Sequence, residues 1–190
     1  MIIFVTGATA GFGAAIARKF VHEGHKVVAT GRRADRLAQL ADELGDKVAT
    51  LTLDVTDRAA VEGVVARLPH GFSAIDVLVN NAGLALGLEP AQRADPDDWE
   101  TMIDTNVKGL ARVTLALLPG MVERNRGHVV NLGSVAAHFP YPGGNIYGAT
   151  KAFGYQFSLN LRADLLGTAV RVTNIEPGLC GGTEFSSVRF

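Results

Sequence analysis

Apolar and polar positions recur at two different periods along the chain, and the switches between them mark out its elements. Residues 2–5 (Ile-Ile-Phe-Val) form a short β-branched and aromatic run stopped by Gly7, the pattern of a buried strand. Residues 14–21 then follow helical periodicity and end near Gly24. The same reading predicts strands over 26–30, 48–53, 75–79, 128–132 and 169–175. It predicts helices over 34–44, closed by Gly45, and over 57–68, with Asp57 as the N-cap. Asp95 followed by Pro96 is an N-cap with proline at the first helical position, opening a long helix to about residue 118. A last helix spans 147–166. Nearly all-apolar strands alternating with helices imply a parallel sheet covered on both faces, one doubly wound α/β domain of three layers. No repeat, low-complexity segment or linker interrupts the pattern.

Composition narrows the function classes. The 190 residues suffice for one domain with a substantial core. A net charge of −1, with no basic run or aromatic-interleaved patch, argues against nucleic acid or an anionic membrane as a partner. Cys180 is the only cysteine, so no intrachain disulfide forms, and it reads as a small packing residue. The N-terminal residues lack a basic lead and break at Thr6-Gly7, which fits neither a signal peptide nor a membrane span; the expected compartment is the cytoplasm. His22 and His25 straddle Gly24 without a carboxylate or thiol partner and read as surface histidines, so no metal is expected.

Two stretches carry candidate chemistry. The first, Thr6-Gly7-Ala8-Thr9-Ala10-Gly11-Phe12-Gly13, joins the first strand to the first helix. Its glycines permit a tight turn and close backbone approach, so the helix N-terminus can face a pyrophosphate. The spacing Gly-x-x-x-Gly-x-Gly departs from the common Gly-x-Gly-x-x-Gly fingerprint. After the second strand the chain reads Thr30-Gly31-Arg32-Arg33, with no carboxylate until Asp35. A ribose hydroxyl of NAD would call for an acid there, whereas two arginines suit a 2′-phosphate, so NADP(H) is the expected cofactor.

The second stretch is Tyr147-Gly148-Ala149-Thr150-Lys151, with Ser134 upstream. A Tyr and a Lys four apart lie on one helix face. An ammonium that close favours the phenolate, lowering the tyrosine from its free pKa of about 10; a shift of roughly three units needs about 4 kcal/mol. A tyrosine tuned in this way can give a proton to a carbonyl oxygen or take one from an alcohol near neutral pH, while Ser134 holds the same oxygen. Read alone, such a pair also occurs on ordinary amphipathic helices.

With the glycine turn, Asn80-Asn81-Ala82-Gly83 after the fourth strand, Asn106, Ser134 and Tyr147…Lys151 in order, the chain resembles the short-chain dehydrogenase/reductase family along its whole length. The resemblance implies a Rossmann-like doubly wound sheet of strand order 3-2-1-4-5-6. It implies Tyr147 as the catalytic acid/base, Lys151 as the residue that lowers its pKa and holds the nicotinamide ribose, and Ser134 as the residue that orients the substrate oxygen. Asn106 would help anchor a water relay to Lys151. For the cofactor it implies Gly7, Ala8, Thr9, Ala10, Gly11, Phe12 and Gly13 at the phosphates, Asp54 and Val55 flanking the adenine, and Asn81, Ala82 and Gly83 on the ribose side. Pro177, Gly178, Leu179, Thr183 and Phe185 would cover the nicotinamide end.

In finer detail the chain is similar to the NADP-dependent 3-hydroxy acid dehydrogenases, which act on L-allo-threonine, serine and related compounds and reduce malonic semialdehyde. Residues 7–13, 30–33, 80–88, 99–106 and 176–190 carry that likeness, which is looser over 135–138. Arg189 is a candidate cation for a substrate carboxylate. Family members assemble as tetramers or dimers and continue through a lid, a further helix and a seventh strand; this sequence stops at Phe190, as a fragment or a shortened form would. Two alternatives stay open: a reductase of 3-oxoacyl, sugar or steroid carbonyls, and a non-catalytic nucleotide-binding protein.

Overall fold

The structure is a computed structural model that describes residues 1–181. Thr183, Phe185 and Arg189, named above as candidates, lie outside the described residues. Six parallel strands form one sheet: β1 (Ile2–Val5), β2 (Lys26–Gly31), β3 (Val48–Thr52), β4 (Val77–Asn80), β5 (Gly127–Leu132) and β6 (Val170–Ile175). Their order is β3-β2-β1-β4-β5-β6, the order the resemblance implies.

The strands read as apolar throughout because both faces are packed. Ile3, Val5, Val27, Ala29, Val77 and Val79 face one layer with Ala17 of α1 (Gly11–His22) and Leu37 and Leu40 of α2 (Ala34–Leu44). Between them in sequence, Phe4, Val28, Leu78 and Val129 face the other layer. That layer contains Val61 of α3 (Arg58–Glu62), Val113, Leu117 and Met121 of α5 (Leu110–Glu123), and Leu161 of α6 (Asn145–Asp164). The period of two along each strand thus sorts alternate residues into the two cores.

Several boundaries differ from the sequence expectation. The helix expected over 57–68 begins as expected, with Asp57 Oδ1 accepting from the Ala60 N–H at 3.0 Å, but α3 ends at Glu62. Gly63 and the β-branched Val64 and Val65 are poor helix formers, and the chain continues as a 3₁₀ turn at Val65–Arg67. The fourth strand starts at Val77 rather than residue 75, because Asp76 turns its carboxylate to accept from the Ile2 N–H at 2.8 Å.

The long helix expected from Pro96 exists as α4 (Pro96–Ile103) and α5, joined through a π-helical turn at Asp104–Gly109. It also runs on through Pro119 to Glu123; the carbonyl a proline leaves unpaired is that of Leu115, an exposed residue. Gly109 closes the π turn, where a Cβ would stand 2.7 Å from Val55 Cγ2. Cys180 is exposed rather than packed. No helix among the described residues is long and apolar enough to cross a membrane.

Candidate active site

Strand order reverses between β1 and β4, so a crevice forms beyond their C-terminal ends, where ligands of open α/β sheets sit. The glycine turn forms one wall. Gly7 and Gly11 adopt φ of +65° and +51°, conformations in which a side chain is strained. Gly13 lies beneath the turn, where a Cβ would stand 2.2 Å from the Gly7 carbonyl oxygen. The α1 N-cap, Ala10, offers no side-chain acceptor, and the first turn holds no acid, so the leading N–H groups and the positive end of α1 suit an anion.

The β4 side locks onto this turn. Thr6 Oγ1 accepts from the N–H groups of Asn81 (3.0 Å) and Ala82 (2.9 Å), and Asn81 Nδ2 donates to the carbonyls of Thr6 (2.9 Å) and Gly7 (3.1 Å). Asn81 therefore holds the turn from below, with its amide NH2 committed there. Asn80 is buried and donates to Thr114 Oγ1 and Asn131 Oδ1, both at 2.9 Å, a bracing role between strands and helix.

At the end of β2, the guanidinium of Arg33 lies over the same turn, its Nε and Nη2 donating to Thr9 Oγ1 at 3.3 and 3.1 Å. Arg32 and Arg33 are both exposed. Asp54 accepts from the Thr56 N–H and hydroxyl at 2.9 and 2.8 Å, an Asx turn, and Val55 is buried against Gly109. Pro177 is half-buried and its carbonyl accepts from the Val135 N–H at 3.2 Å, whereas Gly178 and Leu179 are exposed.

The reactive candidates gather at the C-terminal end of β5. Tyr147 is buried among Ala85, Met102 and Ala136. Lys151 Nζ stands 5.8 Å from the Tyr147 ring centroid and donates to the Leu132 carbonyl at 2.7 Å. Burial pulls its ammonium from the usual 10.5 down to about 8. Ser134 follows β5 after one residue, Gly133, and its Oγ accepts from the Ala136 N–H at 3.1 Å. The loop that carries it is tied to the end of β6 by Gly133 N–H donating to Ile175 O (2.7 Å), and to the residue just after β6 by a 2.9 Å contact between His138 Nε2 and Glu176. A cavity of about 540 Å³ opens beside this loop, lined by Ala136, His138, Tyr141, Gly148 and neighbours; Ser134, Tyr147 and Lys151 do not line it.

Asn106 is buried, and its side chain reaches the loop after β4. The π turn rotates it inward, where Oδ1 accepts from the Leu84 N–H (2.9 Å) while Nδ2 donates to Leu84 O (2.8 Å) and Thr150 Oγ1 (3.0 Å). Both amide donors are committed, so its side chain fixes the loop after β4. Gly83 packs where this amide and the lysine converge: a Cβ there would meet Asn106 Oδ1 at 3.2 Å and Lys151 Nζ at 3.6 Å. Sequence reasoning missed Thr6, Thr150 and the Leu132 carbonyl. A threonine ending an apolar strand is a weak signal for the first, and a backbone carbonyl leaves none at all.

Residues 1–189 match the short chain dehydrogenase family. The chain is 70% identical over 190 residues to NADP-dependent 3-hydroxy acid dehydrogenase YdfG of Salmonella typhi, covering all of this chain and 77% of that one. It is 59% identical over 187 residues to serine 3-dehydrogenase of Agrobacterium fabrum, covering 98% and 74%. A solved structure of the closed form of serine dehydrogenase complexed with NADP+ superposes with a TM-score of 0.98 at 67% identity, covering 100% of this chain and 77% of that one.

Proposed function

The chain belongs to the short-chain dehydrogenase family, and from that premise we propose that it is an NADP(H)-dependent enzyme interconverting a small 3-hydroxy acid, of the serine, L-allo-threonine or 3-hydroxypropionate type, with its 3-oxo acid or semialdehyde. One observation carries the reading. Tyr147 and a buried ammonium share a helix face, with Tyr147 packed on Ala136 in the turn that Ser134 caps, at the crevice where the glycine turn offers an anion site. The relatives named for NADP and for serine or 3-hydroxy acids support the cofactor and the substrate class.

The residues present fit the cofactor. The α1 N-terminus, free of acid and opened by Gly7, Gly11 and Gly13, suits the pyrophosphate, and Arg32 and Arg33 suit a 2′-phosphate. What NADP(H) contributes when bound is hydride acceptance or donation at the carbinol carbon. Ser134 donates a hydrogen bond to the substrate oxygen, keeping its own proton, and holds that oxygen toward the Tyr147 hydroxyl. Tyr147 takes the alcohol proton in oxidation and returns it in reduction. The Lys151 ammonium favours the negative charge that develops on the phenolic oxygen, and Leu132 O keeps the ammonium in place. We read the chain as one cofactor-binding and catalytic domain acting in the cytoplasm. Exposed Leu115 on α5 and Phe153 on α6 support its assembly as a homotetramer or dimer, which light scattering tests.

Substituting Tyr147→Phe tests the proton role. Turnover should fall by at least about a hundredfold, the contribution of a positioned acid/base, while NADPH still binds. Near-normal turnover in that variant would refute the assignment.

A further inference from the structure

We propose that Thr150 is a positioning residue for the reaction: its hydroxyl couples Asn106 to the carbonyl of Tyr147 and sets the Tyr147–Lys151 face against the loop after β4. The inference rests on the dehydrogenase reading above.

Thr150 is 3% exposed, and its hydroxyl uses both of its capacities within the protein. It accepts from Asn106 Nδ2 at 3.0 Å and donates to Tyr147 O at 2.8 Å. Asn106 in turn holds both backbone groups of Leu84. A continuous series of direct hydrogen bonds therefore runs from the loop after β4, through the π turn, to the reactive tyrosine's own carbonyl. Asn106 and Thr150 are both buried, so a hydrogen bond lost between them is not replaced by solvent.

Two further features give the series a function. A threonine bonded to the carbonyl three residues back adjusts the local bend of a helix, here within the turn that separates Tyr147 from Lys151. Gly83 sits where Asn106 Oδ1 and Lys151 Nζ converge, so a displaced Asn106 amide moves the loop against the ammonium. An ordinary buried threonine needs only one partner. This one bridges the π turn, α6 and, through Asn106, the loop.

The test compares Thr150→Val, which keeps the shape and removes the hydroxyl, with Thr150→Ser, which keeps the hydroxyl. With NADP+ and a saturating 3-hydroxy acid such as L-serine, the Val variant should lose about tenfold or more in kcat, as small misplacements of reacting groups do. Its NADPH dissociation constant should stay within about twofold of wild type, and the inflection of its kcat/KM against pH should move; the Ser variant should restore both readouts. A purely structural threonine would lower the melting temperature without moving the pH profile. Wild-type kcat and pH profile in the Val variant would overturn the proposal, as would a Ser variant as impaired as Val. Should the Val variant not fold, Thr150→Ala is read for the same quantities. NMR exchange of the Asn106 side-chain amide, without substrate, tests the tie whatever the turnover. Exchange should be slow in wild type and the Ser variant and faster in Val or Ala; unchanged exchange would overturn the proposal. A wild type silent with NADP+ across the substrate panel would count against the parent reading, while the amide exchange still judges Thr150.

Discussion

Replacing Lys151 with methionine should make the protein more stable and, at the same time, inactive. The ammonium is buried with one hydrogen bond, to Leu132 O at 2.7 Å, and its pKa falls from 10.5 to about 8. A lysine depressed in the folded state binds its proton more tightly when unfolded, so its charge opposes folding in full below about pH 8. The opposition fades as pH rises toward the unfolded value of 10.5. At about 1.4 kcal/mol per unit, the cost near neutral pH is about 3 kcal/mol. Methionine fills a similar volume without charge but leaves the Leu132 carbonyl without its donor, at about 1 kcal/mol. The net expectation is a variant about 2 kcal/mol more stable than wild type near pH 7. Between about pH 7 and pH 9.5 that advantage should shrink by about 2 kcal/mol, because the wild type is relieved of its charge and the variant has none to lose. Urea unfolding of both nucleotide-free proteins at the two pH values measures the difference, and titrations common to both cancel. A methionine variant less stable than wild type near pH 7, or a difference independent of pH, would refute the reasoning. A costly buried charge kept at a reactive position is what a site selected for chemistry rather than stability contains.

Gly13→Ala places a Cβ 2.2 Å from Gly7 O and 2.5 Å from Asn81 Nδ2, so the glycine turn must shift; overpacking of this kind costs about 1–3 kcal/mol, and NADPH affinity measured by fluorescence should fall with it. Arg33→Ala should weaken NADPH far more than NADH, since its guanidinium stands over the turn at Thr9; equal weakening in titrations with the two nucleotides would count against a 2′-phosphate role. His128 is held below its ordinary pKa by burial and then by the Arg171 cation, so the unfolded chain takes up its proton first. Stability should therefore drop as pH falls through the unfolded histidine range of about 6.5, and His128→Gln should flatten that part of the pH dependence in thermal melts.

The parts of this protein that can be read from the sequence are those whose causes are local. Tyr147 and Lys151 share a face because helical geometry fixes neighbours four apart, and the strands declare themselves because both of their faces are buried. What stays hidden depends on partners distant in sequence. Asn106 finds Leu84 and Thr150, 22 and 44 residues away, only after a π turn that no period announces. The break of α3 after Glu62 lies in Gly63 and two valines, a contest of propensities that the apolar pattern outweighs on paper. Asn81 reads as a ligand contact or a turn residue alike until its bonds to the carbonyls of Thr6 and Gly7 are seen.

The central claim is that the Tyr147 face works on a hydroxy acid with NADP(H). It is tested most directly by following NADPH absorbance as the protein meets NADP+ with L-serine, L-allo-threonine or 3-hydroxypropionate, with NAD+ as the control. NADPH should accumulate with at least one of these acids and far more slowly with NAD+. No NADPH from a protein shown by fluorescence to bind the nucleotide, or equal rates with NAD+, would contradict the account.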